Sequence, residues 1–145
     1  MEKDAKIFVA GHTGLVGSAI VRELASKGYN NLCLASHKEL DLRNQKDTEA
    51  FIQKEKPEYV FMAAATVGGV LINDTLPGKF LYDNLAMSMN VIHSSYLAGV
   101  KKLLYMGSGC IYPKFAKQPI QEGALLSGAL EKTNEAYAVA KIAGL

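Results

Sequence analysis

Tyr137 and Lys141 stand four residues apart, so on a helix both side chains leave the same face. A lysine ammonium about 4 Å from a phenol, at an effective dielectric near 20, contributes about 4 kcal/mol, enough to bring a tyrosine from near 10 down to about 7. Such a tyrosine can exchange a proton near neutral pH. The same spacing also occurs on ordinary solvated faces, so its weight comes from its company. Upstream, Gly11-His12-Thr13-Gly14-Leu15-Val16-Gly17 is a G-x-x-G-x-x-G turn. Gly11 allows a tight turn, Gly14 lets backbone N–H groups approach a diphosphate, and Gly17 lets a helix pack on a strand. A helix opening there offers open donors and partial positive charge to phosphates. Ser108 follows an apolar run directly, where a hydroxyl can reach a carbonyl beyond the end of a parallel strand, and Cys110 lies two residues on. As ordinary residues these would be a turn serine and an inert thiol.

These groups need a scaffold that brings strand ends and helix starts together. Ile7-Phe8-Val9-Ala10, then the glycine turn, then Ala19, Ile20, Val21 and Leu24 at helical spacing up to Gly28 predict strand, turn and helix. Asn31 to Ala35 predicts a second strand, Asp47 to Lys56 a helix closed by Pro57, and Glu58 to Ala63 a third strand. A long helix over Lys79 to Ala98 is expected to place Phe80, Leu85, Met89 or Ile92, and Tyr96 near one face, followed by a strand from Lys101 to Gly107. Pro113 to Gly128 is expected to be loop, and Thr133-Asn134-Glu135 a capped helix start. Strands that are apolar throughout suit a parallel sheet covered on both faces. The fold class is therefore α/β, a Rossmann-like doubly wound parallel sheet with right-handed crossovers. Ala35-Ser36-His37-Lys38 ends the second strand, where an acid would favour NAD and a base the 2′-phosphate of NADP. Glu39 and Asp41 follow slightly late, so this tip leaves the choice open.

Composition narrows the field. The 145 residues carry 16 Lys+Arg against 14 Asp+Glu and are 49% hydrophobic, which gives no basic face for nucleic acid and too much apolar content for disorder. The longest apolar stretch, Tyr59 to Asn73, is interrupted by Thr66, Gly68 and Gly69 and is shorter than the roughly 20 residues of a membrane span. The N-terminus lacks signal-peptide character, so a cytoplasmic protein is expected. Cys33 and Cys110 form neither a disulfide framework nor a metal motif, and His12 and His93 have no partner at ligand spacing, so no metal is expected.

The segments K-I-F-V-A-G-H-T-G-L-V-G-S-A-I, H-K-E-L-D-L, A-A-A-T-V-G-G-V, G-S-G-C-I-Y-P-K and T-N-E-A-Y-A-V-A-K-I-A-G resemble the N-terminal portion of the GDP-L-fucose synthase family, extended short-chain dehydrogenases/reductases. The resemblance covers nearly the whole chain, and Val67-Gly68-Gly69 and the Cys-Ile-Tyr-Pro run are its most specific parts. It implies conversion of GDP-4-keto-6-deoxy-D-mannose to GDP-L-fucose, with inversion at carbons 3 and 5 and reduction at carbon 4. It further implies Cys110 as acid/base, Tyr137 as proton donor, Lys141 tuning it and holding the nicotinamide ribose, and Ser108 polarising the carbonyl. NADP is the implied cofactor, with NAD left open. Gly11, His12, Thr13, Gly14, Leu15, Val16 and Gly17 would take the diphosphate, the span from His37 to Leu42, with Asp41 in it, would surround the adenosine, and Met106, Gly107, Ser108 and Gly109 would lie along the cofactor. Arg is usual in the family at position 13 and again near Ala35, Lys at 66 and Ser at 109, where this chain has Thr13, Thr66 and Gly109 and no Arg near Ala35. The family's histidine partner of the cysteine, its P-T-N-x-Y-G-P segment and its GDP-sugar domain would fall beyond Leu145, so residues 1–145 are expected to be an incomplete NAD(P)-binding domain without a substrate domain. Homodimers are the family's assembly. The competing expectations are a noncatalytic nucleotide-binding fragment and another sugar-nucleotide epimerase or dehydratase.

Overall fold

Ile7–Ala10 forms β1 with all four residues buried, as an apolar run covered from both sides requires. The computed structural model describes every residue from Met1 to Leu145. β2 is Leu32–Cys33, β3 is Tyr59–Met62 and β4 is Lys102–Tyr105. All pair in parallel in the order β2-β1-β3-β4, with Ile7 opposite Leu32 and Tyr59, and Tyr59 opposite Lys102. The chain passes from β1 to one side and from β3 to the other, which makes the ends of β1 and β3 a topological switch point. The expected Rossmann-like class is the one observed. β2 is shorter than the expected five residues.

The chain divides into two compact units, Met1–Ala65 with Ala86–Met106, and Thr66–Leu85 with Gly107–Leu145. The first holds the sheet. Alternate residues of β1 supply two cores: Phe8 and Ala10 join Ile52, Met62 and Val91, while Ile7 and Val9 join Leu24. Helix α1, Leu15–Ser26, covers the second of these; α2, Gln45–Glu55, and the later turns of the long helix Pro77–Leu97 cover the first. α2 starts where Asn44 Oδ1 accepts the Asp47 N–H at 3.2 Å and stops at Lys56, whose φ of 46° breaks the helix just before Pro57. Truncating Ile52, fully buried, to alanine would cost about 2–5 kcal/mol.

The second unit contains α3, Val70–Thr75, the first turns of α4, Pro77–Leu97, short 3-10 turns at Gly109–Ile111 and Lys132–Asn134, and α5, Glu135–Ala143. α3 was not expected. Its Val70, Leu71 and Ile72 are all more than half exposed, so it carries no amphipathic period to detect. The buried face of α4 also differs from expectation. Phe80 is buried, but Met89 is 64% and Tyr96 79% exposed. Asn84, Ser88, Val91, Ser94 and Ser95 are buried instead, and the Ser88 and Tyr105 hydroxyls lie 2.9 Å apart. Small hydroxyl residues let a helix backbone come close where large apolar ones would hold it off. No helix is long and apolar enough to cross a membrane.

Candidate active site

The glycine turn belongs to the sheet unit. Gly11 takes φ +82°, and a Cβ there would lie 2.6 Å from the Ala64 nitrogen at the end of β3. A Cβ on Gly17 would collide with the Gly11 carbonyl. Both positions are closed to other residues by backbone rather than by side chains. Gly14 is different: it is the N-cap of α1, has no side chain over it, and a Cβ would meet only the Gly11 oxygen at 3.4 Å. The first helical bond runs from Ser18 N to Gly14 O at 2.9 Å, so the N–H groups of Leu15, Val16 and Gly17 precede the ladder. Open donors beside a bare N-cap glycine fit a diphosphate. Leu15 is 89% exposed, and His12 has a buried Nδ1 with no hydrogen-bond partner.

Around the end of β2, Ser36 donates its N–H and O–H to Glu39 at 2.8 and 2.7 Å, which holds that carboxylate below its ordinary range. Asp41 pairs with Arg43 at 2.7 Å; the guanidinium hydrogen bond outweighs partial burial and holds the carboxyl at about 2. His37 Nδ1 stands 4.0 Å from Asp41. Leu42 is buried in the core, while its carbonyl accepts the Asn90 amide at 2.9 Å. Cys33 is also a core residue, and burial pushes its thiol up to about 11. Met106 closes the sheet unit, its N–H bonded to the Met62 carbonyl at 3.1 Å.

Ser108, Cys110, Tyr137 and Lys141 all lie in the second unit, with Gly107 and Gly109. Ser108 caps the 3-10 turn: its Oγ accepts the Cys110 N–H at 3.3 Å, and its own O–H can still donate. Cys110 Sγ accepts the Asn134 amide. Lys141 is 3% exposed, and burial lowers its pKa from the ordinary lysine value. Tyr137, one turn earlier on α5, borders a cavity of about 200 Å³ together with Asn73, Pro77, Phe80 and Asn134.

Four polar residues of this unit have no site role in the sequence reading, Asn134 entering it only within a capped helix start. Asn84 acts as a strand edge would, accepting the Thr66 N–H at 2.9 Å and donating to the Thr66 carbonyl at 2.9 Å and the Phe80 carbonyl at 2.7 Å. Buried Asp83 accepts from Lys79 at 2.7 Å and from the Thr66 hydroxyl at 3.3 Å. Asn73 donates to the Gly68 carbonyl at 3.3 Å and to Asn134 Oδ1 at 3.0 Å. Asn134 was expected to cap α5, yet its side chain makes no capping bond. Only Asn134, adjacent to the expected helix start, had any local signal.

The model of the NAD dependent epimerase/dehydratase family matches residues 7–145. GDP-L-fucose synthase 1 of Arabidopsis thaliana is 62% identical over 144 residues, 99% of this chain and 45% of its own length. GDP-L-fucose synthase of Escherichia coli (strain K12) is 48% identical over 140 residues, 97% of this chain and 44% of its own. Among solved structures, a GDP-mannoheptose C4 reductase from Campylobacter jejuni with NADP bound superposes with a TM-score of 0.96 at 45% identity, over 99% of this chain and 46% of that one. The chain thus spans less than half the length of the relatives it matches.

Proposed function

We infer, since this chain belongs to the NAD dependent epimerase/dehydratase family, that it is the N-terminal portion of an NADP-dependent enzyme converting GDP-4-keto-6-deoxy-D-mannose to GDP-L-fucose. Cys110 carries the reading. Reducing a ketone requires a proton donor and a polarising hydroxyl, which Tyr137 and Ser108 supply; inverting carbons beside that ketone requires a further acid/base, and a thiol stands two residues from Ser108. Protons next to a carbonyl are acidic, so Cys110 takes or returns a proton at those carbons while the Ser108 O–H holds the negative charge developing on the carbonyl oxygen. Tyr137 then gives its proton to the C4 oxygen, and Lys141 stabilises the phenolate left behind. NADPH, when bound, supplies the hydride to C4. The glycine turn would hold its diphosphate with the first N–H groups of α1, and the His37 to Leu42 segment would surround the adenosine. The 62% identity to a GDP-L-fucose synthase and the NADP in a 45% identical reductase support both substrate class and cofactor. The same reading places the complete enzyme in the cytoplasm as a homodimer.

The test extends the chain through the region its relatives carry and supplies GDP-4-keto-6-deoxy-D-mannose and NADPH. GDP-L-fucose is expected, with deuterium taken up at carbons 3 and 5 in heavy water. Cys110→Ser is expected to lower that uptake by at least about 100-fold, in line with loss of a general acid/base. A folded, NADPH-binding protein that neither exchanges nor reduces the sugar would overturn the assignment. A second reading, a GDP-heptose as substrate, is favoured by the 45% identity to the Campylobacter reductase. Competing the two sugars in one reaction decides between them.

A further inference from the structure

Asn134 stands where a helix cap belongs and is used for something else. It immediately precedes α5, a position where asparagine ordinarily satisfies an open N–H of the first turn, yet it makes no such bond. Its Nδ2 donates to Cys110 Sγ. Which end of the amide meets the sulfur is fixed from behind. Asn73 Nδ2 donates to Asn134 Oδ1 at 3.0 Å and to the Gly68 carbonyl at 3.3 Å. Turning Asn134 over would set two NH₂ groups against each other. Turning Asn73 to compensate would set its oxygen against the Gly68 oxygen, which can only accept. The direction of the relay therefore comes from a backbone carbonyl in the Val67-Gly68-Gly69 segment and ends at the sulfur. Asn73 Oδ1 is left buried with no hydrogen-bond partner, a cost this orientation tolerates.

We propose that Asn134, oriented by Asn73, is a positioning residue for Cys110: its N–H holds the sulfur in place and stabilises the negative charge that sulfur carries once it has given up its proton. The purpose of this arrangement rests on the reading of Cys110 as the acid/base of the sugar reaction, but its test does not. Hydrogen bonds to a charged acceptor are about twice as strong as neutral ones, so the contact acts chiefly on the ionised form.

The experiment is alkylation of the chain by iodoacetamide near neutral pH, in which the sulfur forms a bond to carbon and iodide leaves, with each cysteine quantified by peptide mass spectrometry. Cys33 reports opening of the sheet unit, because it is buried in that unit's core and its thiol is pushed up to about 11. Asn134→Leu keeps the size and removes the donor; it is expected to slow Cys110 roughly tenfold or more, with Cys33 still protected. Asn134→Asp, which presents oxygen to the sulfur, is expected to be slower still. Asn73→Ala frees the Asn134 amide to turn, so it should slow Cys110 less, and add nothing in the Asn134→Leu background. A merely structural role moves the readout the other way, since a loosened second unit speeds Cys110 whether or not the sheet unit opens and Cys33 follows. Unchanged or faster Cys110 labelling in Asn134→Leu with Cys33 protected overturns the proposal, as does an Asn73→Ala effect that adds in full. Should Asn134→Leu open the fold and label Cys33, Asn73→Ala alone decides: slower Cys110 labelling supports the relay and an unchanged rate overturns it. No sugar or NADPH enters this assay, so its failure and a failed activity test are separate results.

Discussion

Both apolar clusters, one around Phe8 and Met62 and the other around Ile7 and Val9, lie in the sheet unit, whereas the buried apolar residues of the second unit are Phe80, Ile111, Ala138 and Ala140. The second unit buries Asp83, Asn84 and Lys141 instead. Placement follows the same division. In the sheet unit the candidate site is a backbone shape, closed at Gly11 and Gly17 by contacts that no side chain could share. In the other, amides do the holding: Asn84 grips the Thr66 backbone and Asn134 the candidate catalytic Cys110. A unit with little apolar core keeps its shape through polar satisfaction, so removing one amide there should act as removing a core side chain does elsewhere.

The strongest way to test the division is at the glycine turn. Gly17→Val forces side-chain atoms against the Gly11 carbonyl and is expected to destabilise the sheet unit by about 3 kcal/mol, read as a lower urea midpoint. Asn84→Ala comes next, at about 2 kcal/mol, because it strands the Thr66 N–H and carbonyl together. Proteolysis between residues 66 and 76 should quicken while amide exchange in β1 and β3 stays slow; equal loosening of the sheet would erase the distinction between the units.

Lys141 sharpens the comparison through pH. Its folded pKa lies below that of the unfolded chain, so at low pH the charged, desolvated form is carried at full cost. As pH rises from the lowered folded value to the ordinary lysine value near 10.4, the folded state loses its proton first and stability grows. Lys141→Met should remove this rise, seen as a flatter difference between the two proteins' alkaline unfolding curves. The smallest effect is at Asp41 in the sheet unit. Arg43 holds its carboxyl at about 2, so the stabilisation is complete above the ordinary aspartate value and is lost as pH falls through about 2. The side chain is 38% exposed, so Asp41→Asn should remove less than about 1 kcal/mol of acid-sensitive stability.

What could be read from the chain beforehand follows the same line. Strands show in sequence because β1 is apolar at every position, and the turn shows because glycine at 11 answers its own positive φ and glycine at 17 a backbone contact six residues away. The buried face of α4 did not show, since Ser88, Ser94 and Ser95 look like solvent residues until their packing is known. Asn134 looked like a cap because capping is local, while its partner Asn73 is 61 residues away. Periodicity and turn chemistry act over one or two turns of chain, and an amide relay assembled from distant segments leaves no such trace.

β1 shares four register pairs with β3, from Ile7 and Tyr59 to Ala10 and Met62, but only two with β2. During synthesis β1 therefore gains its main neighbour about fifty residues later. At roughly 5–20 residues per second, that is a wait of several seconds in which a wholly apolar segment has only a two-pair ladder to shelter it. Non-local pairing of this kind forms slowly, so β1 is the segment of this sheet whose exposure during synthesis most favours aggregation.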